Sequence, residues 1–348
     1  MQKTPEEQTV LVIGAACVDI VARIQGDVQM ETSNPAHIRT SFGGAARNVA
    51  ENLARLGQPV SLLTVLGKDE LGDEVLTYTR QAGVDVSHIH RMDKFPTGFY
   101  MAVLNETGRL QYAFDDMRVL EELSSSYLTY HQELFENASL LFLDTNLHPE
   151  TLATAFELAA RYNLPVCADP TTRSLAPRLK PYLKQLRLIV PNAPEAAILT
   201  GQPFEAADSA ATLQAARALV NHGVDIVLIT MSEFGLCYAT SETSGHIPAV
   251  STTIHDPTGA GDALTAAVIY ALLNDIEIDD AARLGAAAGA LALSHPGTVC
   301  PDLSLDLLYD ELSSGSNRGF TRCWKGFPMC LSMTWRPWRR HGMIPCAR

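Results

Sequence analysis

The chain has 348 residues, 47% of them hydrophobic and 19% charged, with a formal net charge of −13. That composition belongs to a folded globular protein and excludes wholesale disorder. Its acidic balance argues against a nucleic-acid-binding surface, which needs clustered Lys and Arg. No uncharged apolar run reaches about 18 residues, so neither a transmembrane helix nor a membrane partner is expected. Glu6 and Glu7 ahead of the first apolar run argue against a leader peptide. Seven scattered Cys without a CxxC pair suggest reduced thiols and a cytoplasmic location.

In chain order, residues 10–13 read as a buried strand feeding a loop at Gly14. Residues 19–39 are polar and broken, with no helical period, and could supply short exposed strands. Val49, Leu53 and Leu56 lie at helical spacing before a stop at Gly57. A strand over 60–66 and a helix over 71–82 follow. Runs 98–104 and 109–114 flank the turn Asn105-Glu-Thr-Gly108, a hairpin signal that suggests a separate sheet. Strands over 139–143, 165–168, 188–190 and 225–230 then alternate with helices over 149–162, 193–200 and 209–222. Short strands over 236–239 and 247–250 precede Ala-rich helices over 261–273 and 279–293. Such alternation implies a parallel sheet with helices on both faces.

The chain changes character at residue 314. From there to the end it has no Asp or Glu, six Arg, one Lys and all three Trp. We read 1–313 as one complete domain and 314–348 as a tail without a core-forming period. The tail is expected to be disordered; a basic membrane- or nucleic-acid-binding arm and a docked element are the competing readings.

Two segments carry chemistry. In Asp256-Pro-Thr-Gly-Ala-Gly-Asp262, small residues open an Ala-rich helix. Backbone N–H groups gathered there suit an anion. A carboxylate at Asp262 would repel that anion unless it serves as a base for an attacking hydroxyl. The plain alternative is a helix start with two turn glycines. In Gly43-Gly44-Ala-Ala-Arg47-Asn48 the glycines would let a ligand lie on the backbone, and the Asn48 amide suits sugar hydroxyls. Here the alternative is an ordinary Gly-rich turn.

Together, GGAARNVAENLARLG and DPTGAGDALTAAV resemble the paired signatures of the ribokinase-like, phosphofructokinase-B-type carbohydrate kinase family, over roughly residues 8–312. The resemblance implies a three-layer α/β/α sandwich with a small β-sheet lid, drawn from about 15–40 and 95–118. It implies ATP and Mg²⁺ as cofactors and a small-molecule alcohol as substrate; a homodimer is the expected assembly. Asp262 then resembles the catalytic base, and the N–H groups of Gly259, Ala260 and Gly261 the anion hole. Asp19, Gly43, Gly44 and Asn48 resemble sugar contacts. Asn192-Ala-Pro-Glu195 resembles the element whose Glu orients Mg²⁺ through water, and Thr230, Ser232 and Gly235 the nucleotide-phosphate loop. Asp256 and Thr258 fall where many relatives bind a monovalent cation such as K⁺. The family usually has Gly at the Ser232 position, so the nucleotide loop is the departure to watch.

The Arg47-Asn48 pair, Ser33-Asn-Pro35, Asp115-Asp-Met117 and Asp144-Thr-Asn146 resemble the pseudouridine kinases within that family. This implies phosphorylation of the 5′-hydroxyl of pseudouridine, with Asn34 and Asn146 as base- or sugar-side contacts. Asn34 could equally be a turn starter before Pro35. The rival functions are a kinase for another nucleoside or a free sugar, and a non-catalytic binding regulator on the same fold.

Overall fold

The computed structural model describes residues 8–256 and 258–315. From residue 316 on, the basic tail and the expectation attached to it lie outside the described residues.

The strands are β1 (Val10–Ile13), β2 (Cys17–Ile24), β3 (Ala36–Gly43), β4 (Val60–Leu63), β5 (Val65–Gly67), β6 (His90–Met92), β7 (Gly98–Leu104), β8 (Leu110–Asp116), β9 (Leu140–Asp144), β10 (Val166–Asp169), β11 (Leu186–Ile189), β12 (Ile226–Thr230), β13 (Leu236–Ala239) and β14 (Ser244–Ile247). The α-helices are α1 (Ala45–Arg55), α2 (Glu70–Gln81), α3 (Ser125–Tyr130), α4 (Gln132–Asn137), α5 (Pro149–Arg161), α6 (Ala193–Thr200), α7 (Ser209–Asn221), α8 (Ala260–Leu273), α9 (Ile278–Leu293) and α10 (Leu305–Gly315).

Eight strands form the main sheet in the order β14-β13-β12-β11-β10-β9-β1-β4. Its strands are parallel from β4 across to β12, and β13 and β14 run antiparallel at one edge. Short apolar strands such as Val10–Ile13 are buried at every residue because both faces are covered. Leu11 and Ile13 point into a core shared with α5, α6 and α7. Val10 and Val12 point the other way, toward α1 and α8. The result is the expected α/β/α sandwich with a small second sheet. The strand order reverses between β1 and β9, so loops after these strands diverge and leave a crevice at their carboxyl ends.

The second sheet has the order β3-β2-β7-β8. Its registers align Ser41, Asp19, Tyr100 and Asp115 in one row, and Arg39, Val21 and Ala102 in the next row of the same face. Thr40, Ile20, Met101 and Phe114, with Ile38 and Tyr112, occupy the opposite face. Residues 19–39 therefore contribute to two eight-residue strands rather than several short ones. Each face mixes polar and apolar residues, which hides the two-residue period.

Two other expectations are corrected, and two helices are added. Residues 60–66 divide at buried Thr64, since β4 pairs with β1 while β5 pairs with β6. The last strand of the main sheet is Ser244–Ile247, paired with β13, and not 247–250. Helices α3 and α4 were not foreseen; each has only six residues, too short for a helical period to stand out.

One buried ionic chain fixes the start of α1. Arg47 is 1% exposed and Glu51 0%, and their ion pair spans 2.5 Å. Arg47 Nε also donates to the Gly43 carbonyl (3.1 Å), and Nη2 donates to Asn48 Oδ1 (3.0 Å) and Thr298 Oγ1 (3.4 Å). Arg55 meets the same Glu51 at 2.6 Å and donates onward to the Pro301 carbonyl. Helix α1 is thereby tied to the segment that follows α9. Removing Glu51 would strand two cations, one of them fully buried. Glu51→Ala should lower unfolding free energy by about 3–5 kcal/mol, read from urea denaturation; a loss under about 1 kcal/mol would show that the pair is solvated.

Candidate active site

The site is built where the carboxyl ends of the main sheet meet the N-termini of α1 and α8. Asp144 and Asp169 are the last residues of β9 and β10. Asp144 is 0% exposed and accepts N–H bonds from Ala15 (2.8 Å), Ala46 (3.1 Å) and Asn146 (2.9 Å). The Asn146 side-chain amide donates to it as well, at 3.0 Å. Burial still pushes its carboxyl upward, against those four bonds. Asp144 thus fastens the β1 loop to the α1 N-terminus across the strand-order reversal.

Asp262 lies in the first turn of α8, which starts at Gly259 (φ 83°) with no side chain capping it. Its Oδ2 accepts from Asn48 Nδ2 at 2.8 Å. Because Asn48 Oδ1 accepts from Arg47, the amide is held one way round, with its donor aimed at Asp262. The Asp262 carboxyl is pushed up to about 7, chiefly by desolvation and further by the charges of Asp19 and Asp144. The Asn48 bond and Arg47 oppose that rise. Asp262 is therefore balanced between its two protonation states near neutrality.

Asp19 reaches the same place from β2. It is 3% exposed, and burial pushes its carboxyl up to about 6, against a 3.2 Å bond donated by the Cys17 thiol. Tyr100 and Ser41 flank Asp19 on the same face. The buried Ser41 hydroxyl has no hydrogen-bond partner among the described residues. Tyr100 is pushed upward by burial and by the charges of Asp19 and Asp115.

The glycines divide into two kinds. A Cβ at Gly43 would collide with the Asp19 carboxyl, at Gly44 (φ 93°) with the backbone of Ala15 and Ala16, and at Gly259 with the Thr298 carbonyl. These three make room for protein atoms. Gly261 faces open space, with nothing within 4 Å of an added Cβ. The uncapped start of α8 leaves its first N–H groups without intrahelical partners. Those of Gly259, Ala260 and Gly261 can receive an anion there.

Other sequence-singled residues have local partners. Asn192 and Glu195 form a capping box on α6: Asn192 N–H donates to Glu195 Oε2 (2.9 Å), Asn192 Nδ2 to Oε1 (2.8 Å), and Glu195 N–H to Asn192 Oδ1 (3.0 Å). Glu195 is 5% exposed, and burial raises its carboxyl against those bonds. Asn192 bridges to Thr230, whose N–H donates to the Pro191 carbonyl at 3.0 Å. Asn34 closes its own loop, accepting from the Gln29 N–H (2.7 Å) and donating to the Gln29 (2.9 Å) and Thr32 (3.1 Å) carbonyls. Its amide is thus engaged within its own loop, which it closes just ahead of β3 and does not start as a turn. Asp256 is buried and paired with Arg39, and it accepts the Thr258 N–H at 2.9 Å.

Asp169 was missed in the sequence because a single Asp at a strand end carries no motif. Burial raises its carboxyl well above the usual range, and the charges of Asp262 and Glu195 add to it. Asp169, Glu195 and Asp262 thus feel one another's charge, but among the described residues no three such side chains are grouped closely enough to hold a metal ion by themselves. Both Glu195 oxygens already accept an Asn192 N–H, so contact through water fits this donor set better than direct ligation.

The nucleotide-loop departure has a structural consequence. Ser232 adopts φ 53°, in the left-handed region, and the next turn ends at Gly235 (φ 92°), where a Cβ would strike the 247–249 backbone. A glycine at 232 would adopt that φ without strain.

Residues 7–303 match the model of the pfkB family carbohydrate kinases. The chain is 31% identical over 301 residues to pseudouridine kinase of Escherichia coli, covering 86% of this chain and 95% of the relative. Among solved structures, a carbohydrate kinase from Agrobacterium tumefaciens superposes with TM-score 0.75 at 27% identity, covering 88% and 97% of the two chains. Arabidopsis thaliana ribokinase complexed with ribose and ATP superposes at TM-score 0.74 and 22% identity, over 88% and 98%, and shows the fold. The chain belongs to the pfkB family of carbohydrate kinases.

Two outcomes follow from these local energetics. Ser232→Gly should raise stability by about 0.5–1 kcal/mol in urea titration, because the strain it removes outweighs the extra glycine entropy; a loss would show that Ser232 is unstrained. The folded Asp262 midpoint, about 7, lies above its ordinary 3.8. Between those values the native state binds more protons than the unfolded chain, so this group makes stability fall as pH rises through that window. The stability advantage of Asp262→Asn over the parent should therefore grow from about pH 4 to about pH 8; a constant difference would contradict the raised midpoint.

Proposed function

We propose that this pfkB-family kinase transfers the γ-phosphoryl group of ATP to the 5′-hydroxyl of pseudouridine. The observation that carries the reading is the bond of Asn48 to Asp262, beside the uncapped N-terminus of α8. In the proposed step the hydroxyl oxygen attacks the γ-phosphorus while the bond to the leaving ADP oxygen breaks. The hydroxyl proton goes to Asp262, and the Gly259, Ala260 and Gly261 N–H groups hold the phosphoryl oxygens. Asp19 binds and orients sugar hydroxyls, with Ser41 and Tyr100 beside it on the second sheet. That sheet acts as a lid that keeps water from the phosphoryl group. Glu195 and Asp169 would hold Mg²⁺, which when bound neutralises charge on the phosphates. Thr230, Ser232 and Gly235 would line the nucleotide. Asn146 would meet the substrate through its second amide N–H and its Oδ1 while keeping its bond to Asp144, and Asn34 only by opening its loop. The catalytic unit so proposed is residues 1–313.

The 31% identity to a pseudouridine kinase supports this substrate. A cytoplasmic location is part of the reading, supported by four described cysteines that are all buried free thiols. Among the described residues, no helix is long and apolar enough to cross a membrane. A homodimer through the second sheet is also proposed, because Ile38, Met101, Tyr112 and Phe114 expose large apolar surface on the face turned away from Asp19.

Turnover measured with pseudouridine, uridine, ribose and fructose tests the assignment. Pseudouridine should have the highest kcat/KM, since a site that bonds the extra imide N–H rejects its absence. Equal use of both nucleosides, or a preference for ribose, would refute the substrate and spare the kinase. Asp262→Asn should lower kcat by about 100-fold or more with nucleoside binding nearly kept; a loss under about threefold would remove Asp262 from the base role.

A further inference from the structure

We infer that this kinase works without a monovalent cation, because the Arg39 guanidinium already occupies the counter-charge position at Asp256. The family resemblance implies a K⁺ site at Asp256 and Thr258. The residues present do not fit one. Asp256 is 0% exposed, and N–H donors already occupy both of its carboxylate oxygens. Oδ1 accepts the Thr258 N–H at 2.9 Å, and Oδ2 accepts the Gly297 N–H at 3.2 Å. Arg39 Nη2 donates to Oδ2 and closes an ion pair across 217 residues of sequence.

A site for a hard cation needs oxygen atoms converging on empty space. Here the carboxylate meets hydrogens on nitrogen, together with a permanent positive charge that would repel a second cation. The pair is not a chance surface contact, since the Asp256 side chain is 1% exposed and that of Arg39 34%. Its position follows from register: Arg39 lies opposite Val21, two residues from the Ser41–Asp19 pair, so its side chain shares the face that carries Asp19. Asp256 begins the segment that leads into the start of α8. The buried carboxylate that would otherwise demand a mobile ion is thus neutralised by a side chain of the second sheet. Arg39 becomes a positioning residue, joining the sheet that bears Asp19 to the segment that bears the anion-binding N–H groups.

The test compares wild type and Arg39→Ala in KCl and in tetramethylammonium chloride at equal ionic strength. Thermal midpoint and kinase rate are both read. Only the rate depends on the proposed phosphoryl transfer, so the midpoint still decides the inference if that reading fails. Wild type should have the same midpoint in both salts and rates equal within about twofold. Arg39→Ala leaves Asp256 buried and unpaired, so K⁺ should raise its midpoint and its rate where tetramethylammonium does not. A wild-type midpoint raised by K⁺, or a wild-type rate raised about tenfold, would overturn the inference. So would a folded Arg39→Ala as indifferent to K⁺ as the parent. Should that variant not fold, the two wild-type comparisons decide alone.

Discussion

Charge burial at the carboxyl end of the main sheet is the constraint on which the rest of the structure depends. Asp19, Asp144, Asp169, Glu195, Asp256 and Asp262 all converge there, and no carboxylate enters a protein interior without compensation. Each is compensated differently. Asp144 has three backbone N–H groups and an amide, Glu195 has its capping box, and Asp256 has a guanidinium and two N–H groups. Asp262 has one side-chain amide, and Asp19 one thiol. Asp169 has one backbone N–H, from Thr171, and Asp262 and Asp19, with one side-chain donor each, have midpoints of about 7 and about 6. Poor satisfaction is what gives a carboxylate a proton affinity useful near neutral pH.

Two arginines hold this arrangement in register. Arg47 is buried in α1 and orients Asn48, which in turn orients toward Asp262. Arg39 comes from the second sheet and meets the segment leading into α8. The glycines then act by leaving room: Gly43 for the Asp19 carboxyl, Gly44 for the β1 loop, Gly259 for the Thr298 carbonyl. A side chain at any of these three would displace the protein atoms that fill the space beside it. Gly261 has open space beyond it, so no protein atom there requires a glycine.

Much of the fold was legible because β1, β9, β10 and β12 are short apolar runs between amphipathic helices, a pattern that survives without knowledge of contacts. Asp262 and its helix were legible because small residues and a carboxylate at a helix start are chemically odd. What escaped was long-range pairing. Nothing local marks Arg39 as the partner of a residue 217 positions away. Asp169 stands alone at a strand end, and its role depends on Asp262 and Glu195 arriving beside it. The Arg47-Glu51-Arg55 spacing is visible, yet such a series usually lies on a solvated helix face. The Asn34 side chain has two readings in the sequence, a substrate contact or a turn starter, and the structure gives it a third role, closing the loop behind it. For Asn192 and Glu195 the structure adds a local role, the α6 cap, that accounts for their spacing without a metal.

The central claim is that the protein crowds Asp262 into a raised proton affinity. A carbon-13 NMR titration of the Asp262 carboxyl, in the parent and in Asp19→Asn, tests it directly. The account predicts a midpoint near 7 in the parent, and a lower one once the neighbouring charge of Asp19 is gone. A parent midpoint at the ordinary 3.8, or one unmoved by Asp19→Asn, would contradict it.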